Sequence, residues 1–192
     1  MNNEKYEQIA LLQKQIEATR KQITDLRRTL EPEPVNDYEL KDRNGNTVLL
    51  SSLFDERNEL LVIHNMGKRC LYCTHWADGL NGFNESINNR VPMVLTSPDT
   101  YEVQRDFADS RGWKFNMLST QGTTFTADLG FEPKPGMYYP GVSALVRKEG
   151  KLYRVSYDYF GPGDSYCASW HLFDLLPNGS NGWQPKYNYS QQ

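Results

Sequence analysis

Two of the three cysteines stand three positions apart, in Cys70-Leu71-Tyr72-Cys73. A thiol pair at that spacing can close and reopen a disulfide, the chemistry of dithiol exchange. The motif sits just past the apolar run Leu60 to Ile63 and just before a helix-forming stretch. Cys70 is then expected at a helix N-terminus, where backbone N–H groups and the helix dipole favour the thiolate. Lys68 and Arg69 add positive charge beside it. Cys73, one turn further in, is placed to attack a mixed disulfide formed at Cys70 and release the bound partner. A plainer reading stays open beside it: two reduced thiols packed into a helix start, since buried free cysteine packs well.

His64 ends the apolar run, six residues before Cys70. An imidazole titrates near neutrality, so His64 is a candidate base near Cys73; a hydrogen-bonded core histidine is the alternative. His75 and Asp78 lie three apart on the helix after the motif, within pairing distance of each other. Trp76 belongs to the core or forms one wall of the site. Cys167 and His171 share one helix face; together with Cys70 and Cys73 they offer a Cys₃His set suited to zinc. The two pairs come from opposite ends of the chain, so we expect no metal and read Cys167 as a small buried residue. The C-x-x-C-H signature of c-type haem is absent, as are the Walker and dinucleotide glycine patterns. We expect no bound cofactor.

These residues need a scaffold. Tyr38 to Leu40 and Val48 to Leu50 read as strands joined by a turn at Asp42 to Asn46, followed by a short helix at Ser51 to Phe54. Leu60 to Ile63 and Val91 to Thr96 read as strands buried on both faces. A helix is expected from Cys73 to about Asn89, another from Ser97 to about Ser110, then a short strand at Phe115 to Leu118. Gly141 to Arg147 and Leu152 to Tyr157 form a final hairpin, and Asp164 to Leu175 a closing helix. Alternation followed by a hairpin predicts an α/β sheet with a mixed edge and helices on both faces.

The strand, Cys-x-x-Cys turn and helix resemble the thioredoxin-like superfamily. The stretch from Tyr38 to Leu53 resembles the N-terminal hairpin of its peroxiredoxin and cytochrome-maturation branches. Gly141 to Lys151 resembles the terminal hairpin of that fold. Cys73-Thr74-His75-Trp76-Ala77-Asp78-Gly79 and Asp174-Leu175-Leu176-Pro177-Asn178-Gly179 are similar to an uncharacterised bacterial thioredoxin-like family. The resemblance covers about Asp37 to Leu176 and implies a three-layer α/β/α fold with a mixed central sheet. It also implies thiol-disulfide oxidoreduction, with Cys70 as nucleophile, Cys73 as resolving thiol and His64 as proton carrier. Two departures stand out. The thioredoxin cis-proline position aligns with Ser143, Pro140 lying three residues earlier. The peroxiredoxin Pro-x-x-x-Thr-x-x-Cys signature has Gly67 where threonine belongs, which leaves a standard peroxidase mechanism unsupported. Tyr139, in the proline-rich loop before Gly141, joins Trp76 and Ser143 as an expected substrate contact.

The chain has 192 residues and a net charge of −3, with 12% aromatic residues. That balance offers no global basic field for nucleic acid. No apolar run reaches the roughly 18 residues of a membrane span, and the start lacks a signal-peptide pattern, so the cytoplasm is the expected location. Residues 1–31 form an amphipathic arm without Gly or Pro. Its apolar positions, Ile9, Leu12, Ile16, Ile23, Leu26 and Leu30, follow a heptad pattern with Thr19 in one slot. Ile at a and Leu at d suit a parallel homodimer; docking on its own chain is the alternative. Glu31-Pro32-Glu33-Pro34 reads as a semi-rigid linker, residues 36–177 as the globular domain, and residues 178–192 as an extended or disordered tail. Trp183, Tyr187 and Tyr189 are its candidate anchors. The expected partner is a protein or small-molecule disulfide or thiol. A non-catalytic thioredoxin-like binding module is the competing function.

Overall fold

A computed structural model describes residues 2–189. The fold is built on strand β4 (Glu59–His64), whose alternating side chains face two different cores. Leu60 and Val62 join Phe54, Phe125, Phe131 and Leu145 on one side; Ile63 joins Trp76, Ala77, Leu95 and Trp170 on the other. Such a strand must be covered on both faces, which accounts for the near-continuous apolar run in the sequence.

Around β4 lie β1 (Glu33–Val35), β2 (Glu39–Lys41), β3 (Thr47–Leu49), β5 (Met93–Ser97), β6 (Asn116–Ser119), β7 (Gly141–Lys148) and β8 (Lys151–Tyr159). They form one sheet in the order β1-β8-β7-β4-β5-β6-β2-β3. The β4, β5 and β6 strands run parallel, linked by α2 (Leu71–Arg90) and α3 (Tyr101–Arg111). The β7–β8 hairpin adds antiparallel to β4, with Ile63 opposite Val142 and His64 opposite Gly141. The helices α2 and α3, with α5 (Ala168–Phe173), cover the Ile63 face; α4 (Phe125–Asp128) and a 3₁₀ turn at Leu50–Phe54 cover the Leu60 face. This is the mixed, three-layer arrangement expected from the sequence.

Local chemistry sets the ends of these elements. Thr100 caps α3 by accepting from the Val103 N–H at 3.4 Å, and Gly112 ends it. At the start of β7, a Cβ on Gly141 would sit 2.3 Å from the Asp158 carbonyl oxygen and 2.5 Å from the Phe131 ring. Only glycine lets the hairpin close that tightly against the loop before it.

Three elements differ from their sequence reading. Glu33 and Pro34, read as linker, belong to a strand (Glu33–Val35) paired with β8, Pro34 lying opposite Tyr153. Proline is tolerated because this is the outermost strand and needs no donor on its free side. The closing helix covers only Ala168–Phe173. The Asp164 carboxylate accepts from the Gly161 and Tyr166 N–H groups, and that turn holds the chain out of helix. Beyond Pro177 the tail is folded back by tertiary contacts: Trp183 packs on Trp170 and Phe173, and Pro185 is buried.

Before the sheet comes α1 (Asn2–Arg27), a 26-residue helix with no buried residue. It meets the body near its C-terminal end, where Arg27 pairs with Asp158 and Arg20 reaches Ser165. No helix among the described residues is long and apolar enough to cross a membrane.

Candidate active site

Cys70 is the N-cap of α2, in extended conformation with φ −89° and ψ 106°. Its Sγ accepts from the Cys73 backbone N–H at 3.0 Å, the geometry of a capping side chain. Its carbonyl accepts from both the N–H and the hydroxyl of Thr74, each at 3.0 Å. Cys70 is partly exposed and Cys73 buried, and both are reduced. The Cys73 Sγ accepts from the Met66 N–H at 3.5 Å.

The two thiols are electrostatically unequal. A hydrogen bond from the Cys73 thiol lowers the Cys70 pKa to about 7, against opposing desolvation; the Cys73 and Tyr72 N–H groups assist. The Cys73 pKa moves up strongly. Its proton is held first by the hydrogen bond to Cys70, then by burial and by the charge on Cys70. One proton is therefore shared within the pair, and the outer sulfur carries the negative charge near neutrality.

The loop leading into Cys70 is fixed by groups from three elements. The Asn65 Oδ1 accepts from the Gly67 N–H at 2.8 Å, and the Asp99 Oδ2 from the Lys68 N–H at 2.6 Å. The Tyr187 hydroxyl donates to the Lys68 carbonyl at 2.8 Å. Gly67 has φ +98°, and a Cβ there would lie 2.8 Å from Asp99 Oδ2. Glycine is required on both counts, where the peroxiredoxin pattern has threonine. Asp99 and Tyr187 were not recognised as site residues in the sequence. Asp99 acts from the loop after β5, the strand beside β4. Tyr187 had only its aromatic character in a polar tail to signal it.

The remaining expected residues fall elsewhere. His64 is fully buried on the opposite sheet face, its ring stacked on Phe131 at 3.7 Å. Its Nε2 bonds the Ser143 Oγ at 2.9 Å and its Nδ1 has no hydrogen-bond partner. Burial, helped by Arg154, lowers its pKa to about 3, so the ring is neutral. Neither nitrogen bonds a thiol. Ser143 lies inside β7, opposite Val62 and with no exposed surface; Pro140, not Ser143, borders the strand end. Trp76 is a core residue whose Nε1–H points to Asp164 at 3.4 Å. Tyr139 is exposed and packs edge-on against Tyr159.

His75 and Asp78 do not pair. His75 Nε2 bonds Ser169 Oγ at 2.7 Å, while Asp78 holds Arg111 and Trp113. Cys167 lies 3.2 Å from the same Ser169 hydroxyl, and His171 approaches Asp174. The Cys₃His set is thus not assembled. Among the described residues no three His, Cys, Asp or Glu side chains converge as metal ligands.

A family model described as bacterial protein of unknown function (DUF899) matches residues 2–192. No curated protein matches. Among solved structures, the peroxidoxin BcpB from Mycobacterium tuberculosis superposes with TM-score 0.56 at 22% identity, over 72% of this chain and 90% of that one. AhpC from Enterococcus faecalis gives TM-score 0.56 at 15% identity, over 70% and 83%. A hypothetical protein from Sinorhizobium meliloti 1021 gives 0.52 at 15% identity, over 83% and 88%. At these identities the likeness establishes a shared thioredoxin-like fold.

Proposed function

The chain belongs to the family of bacterial proteins of unknown function (DUF899), and from the thiol geometry we propose that it is a thiol-disulfide oxidoreductase. The single observation that carries this reading is the asymmetric sulfur pair, a half-buried thiolate capping a helix over a buried protonated thiol. The names of similarly folded proteins, peroxidoxin and peroxiredoxin-like, are those of redox proteins.

In the reaction, the Cys70 thiolate attacks one sulfur of a substrate disulfide. A Cys70–substrate disulfide forms, and the other substrate sulfur leaves as a thiolate that takes a proton from solvent. Loss of the negative charge on Cys70 removes the main hold on the Cys73 proton. Cys73 releases its proton, which passes through solvent to the departing substrate sulfur, and attacks the Cys70 sulfur. The second substrate thiolate leaves, and a Cys70–Cys73 disulfide remains. The substrate gains two electrons and the protein loses two; a reducing thiol must return them. His64, neutral and bonded to Ser143, takes no direct part in this scheme.

Disulfide reduction and trapping test the proposal. Cys70→Ser is expected to abolish reduction of a model disulfide, and Cys73→Ser to accumulate mixed disulfides visible by intact mass. Undiminished turnover in Cys70→Ser would overturn it.

A further inference from the structure

α1 exposes its whole heptad stripe, Ile9, Leu12, Ile16, Ile23, Leu26 and the following Leu30. Exposed apolar side chains in such a row mark a binding surface. The stripe does not end in solvent. Where α1 reaches the body, Ile23, Arg20 and Arg27 line a groove of about 430 Å³ with Asp158 and Tyr166. That groove shares Arg27, Asp158 and Tyr166 with a second, apolar cavity of about 290 Å³ on the sheet face. Leu61, Val142 and Ala144 form its floor, and Leu80 and Ile87 of α2 one wall. Tyr157 of β8, Phe160 and Tyr166 also line it.

We infer that a second copy of this chain docks here, with its α1 antiparallel to this one and its N-terminal turn seated in the groove. Three observations lead to the orientation. First, the seam is symmetric under reversal. Ile9 meets the partner's Leu26, Leu12 the partner's Ile23, and Ile16 the partner's Thr19, so all six seam positions of the helix are matched. Second, the flanking e positions are Tyr6, Gln13, Arg20 and Arg27. Antiparallel pairing sets e against e, placing the partner's Tyr6 over Arg27 and the partner's Gln13 beside Arg20, with no like charges opposed. Third, Arg27 is also the residue at which the groove begins. Only the antiparallel arrangement brings an exposed aromatic, the partner's Tyr6, to that mouth. A parallel pair would carry Tyr6 roughly 30 Å away, at 1.5 Å per residue, and leave the groove open. The sequence alone, with Ile at a and Leu at d, favours the parallel form; the groove reverses that preference.

The test uses the full chain with its three cysteines replaced by serine, so that thiol chemistry at the motif plays no part. Light scattering after gel filtration is expected to give twice the chain mass. Under copper–phenanthroline oxidation, Ile9→Cys with Leu26→Cys is expected to yield covalent dimer, and Ile9→Cys alone none. Tyr6→Ala, which removes the aromatic ring from the exposed arm, and Ala144→Arg, on the floor of the adjoining cavity, are each expected to weaken dimerisation at least tenfold. Circular dichroism of both variants reports whether folding is intact. A monomer, or crosslinking through Ile9→Cys alone, overturns the inference. An antiparallel dimer indifferent to Tyr6→Ala overturns the seating in the groove.

Discussion

At the scale of single residues, Cys70 differs from an ordinary thiol because one neighbour lends it a hydrogen bond and an α-helix start lends it N–H groups. An acid held at about 7 is ionised above that pH. Its alkylation by iodoacetamide should rise about tenfold per pH unit below 7 and level off above it. An unperturbed thiol would go on accelerating to about pH 8.5. Cys73, whose pKa moves the other way, should stay unreactive throughout that range. Gly67 is the second residue of consequence. Alanine there must adopt φ near +98° and crowd Asp99. The expected cost is on the order of 1–3 kcal/mol, seen as a fall in Tm of roughly 5 °C. Cys70 and Cys73 were legible in the sequence because spacing and a strand-to-helix turn suffice to define them. The placement of His64 and Ser143 was not. Which sheet face a strand residue occupies depends on register, and one position of alternation moved both behind the sheet.

At the scale of elements, the strands and helices that flank the motif follow from local pattern, and they sit where the sequence puts them. Two of the misread segments are those in which tertiary contact overrode local preference; the closing helix was instead shortened by the local Asp164 turn. Pro34 speaks against a strand, yet the β8 edge supplies a partner, and the Arg154 guanidinium grips Glu33 across the pair. The tail is rich in Gly, Asn and Ser, which predicts an extended chain. Its order comes from Trp183, which contacts Trp170, Phe173, His75 and Tyr189. Replacing Trp183 by alanine should release the segment beyond Pro177, at a cost of about 1–3 kcal/mol in local stability. Limited proteolysis would detect it as faster cleavage after residue 177 with the body intact. The Tyr187 clamp on Lys68 would be lost at the same time, so the pH profile of Cys70 should shift in that variant.

At the scale of the whole molecule, a thioredoxin-like body holds the cysteine pair, and a helical arm touches it only near the arm's C-terminal end. Because α1 buries none of its residues, removing residues 2–27 should leave the Tm of the body within a few degrees of the parent. The same deletion should abolish dimer formation while retaining dithiol chemistry. Thermal melts, gel filtration and thiol titration on one truncated protein check all three. The fold class was readable from the alternation of elements and the position of Cys70. The cavity on the sheet face was not, since β4, β7, β8 and α2 assemble it from residues far apart in the sequence. The central claim is that Cys70 and Cys73 work as one redox pair. The most direct measurement is differential alkylation with intact-mass readout across a graded glutathione buffer. The account predicts a cooperative two-thiol transition confined to Cys70 and Cys73, with Cys167 reduced throughout. Independent titration of the two thiols, or both remaining reduced across the range, would contradict it.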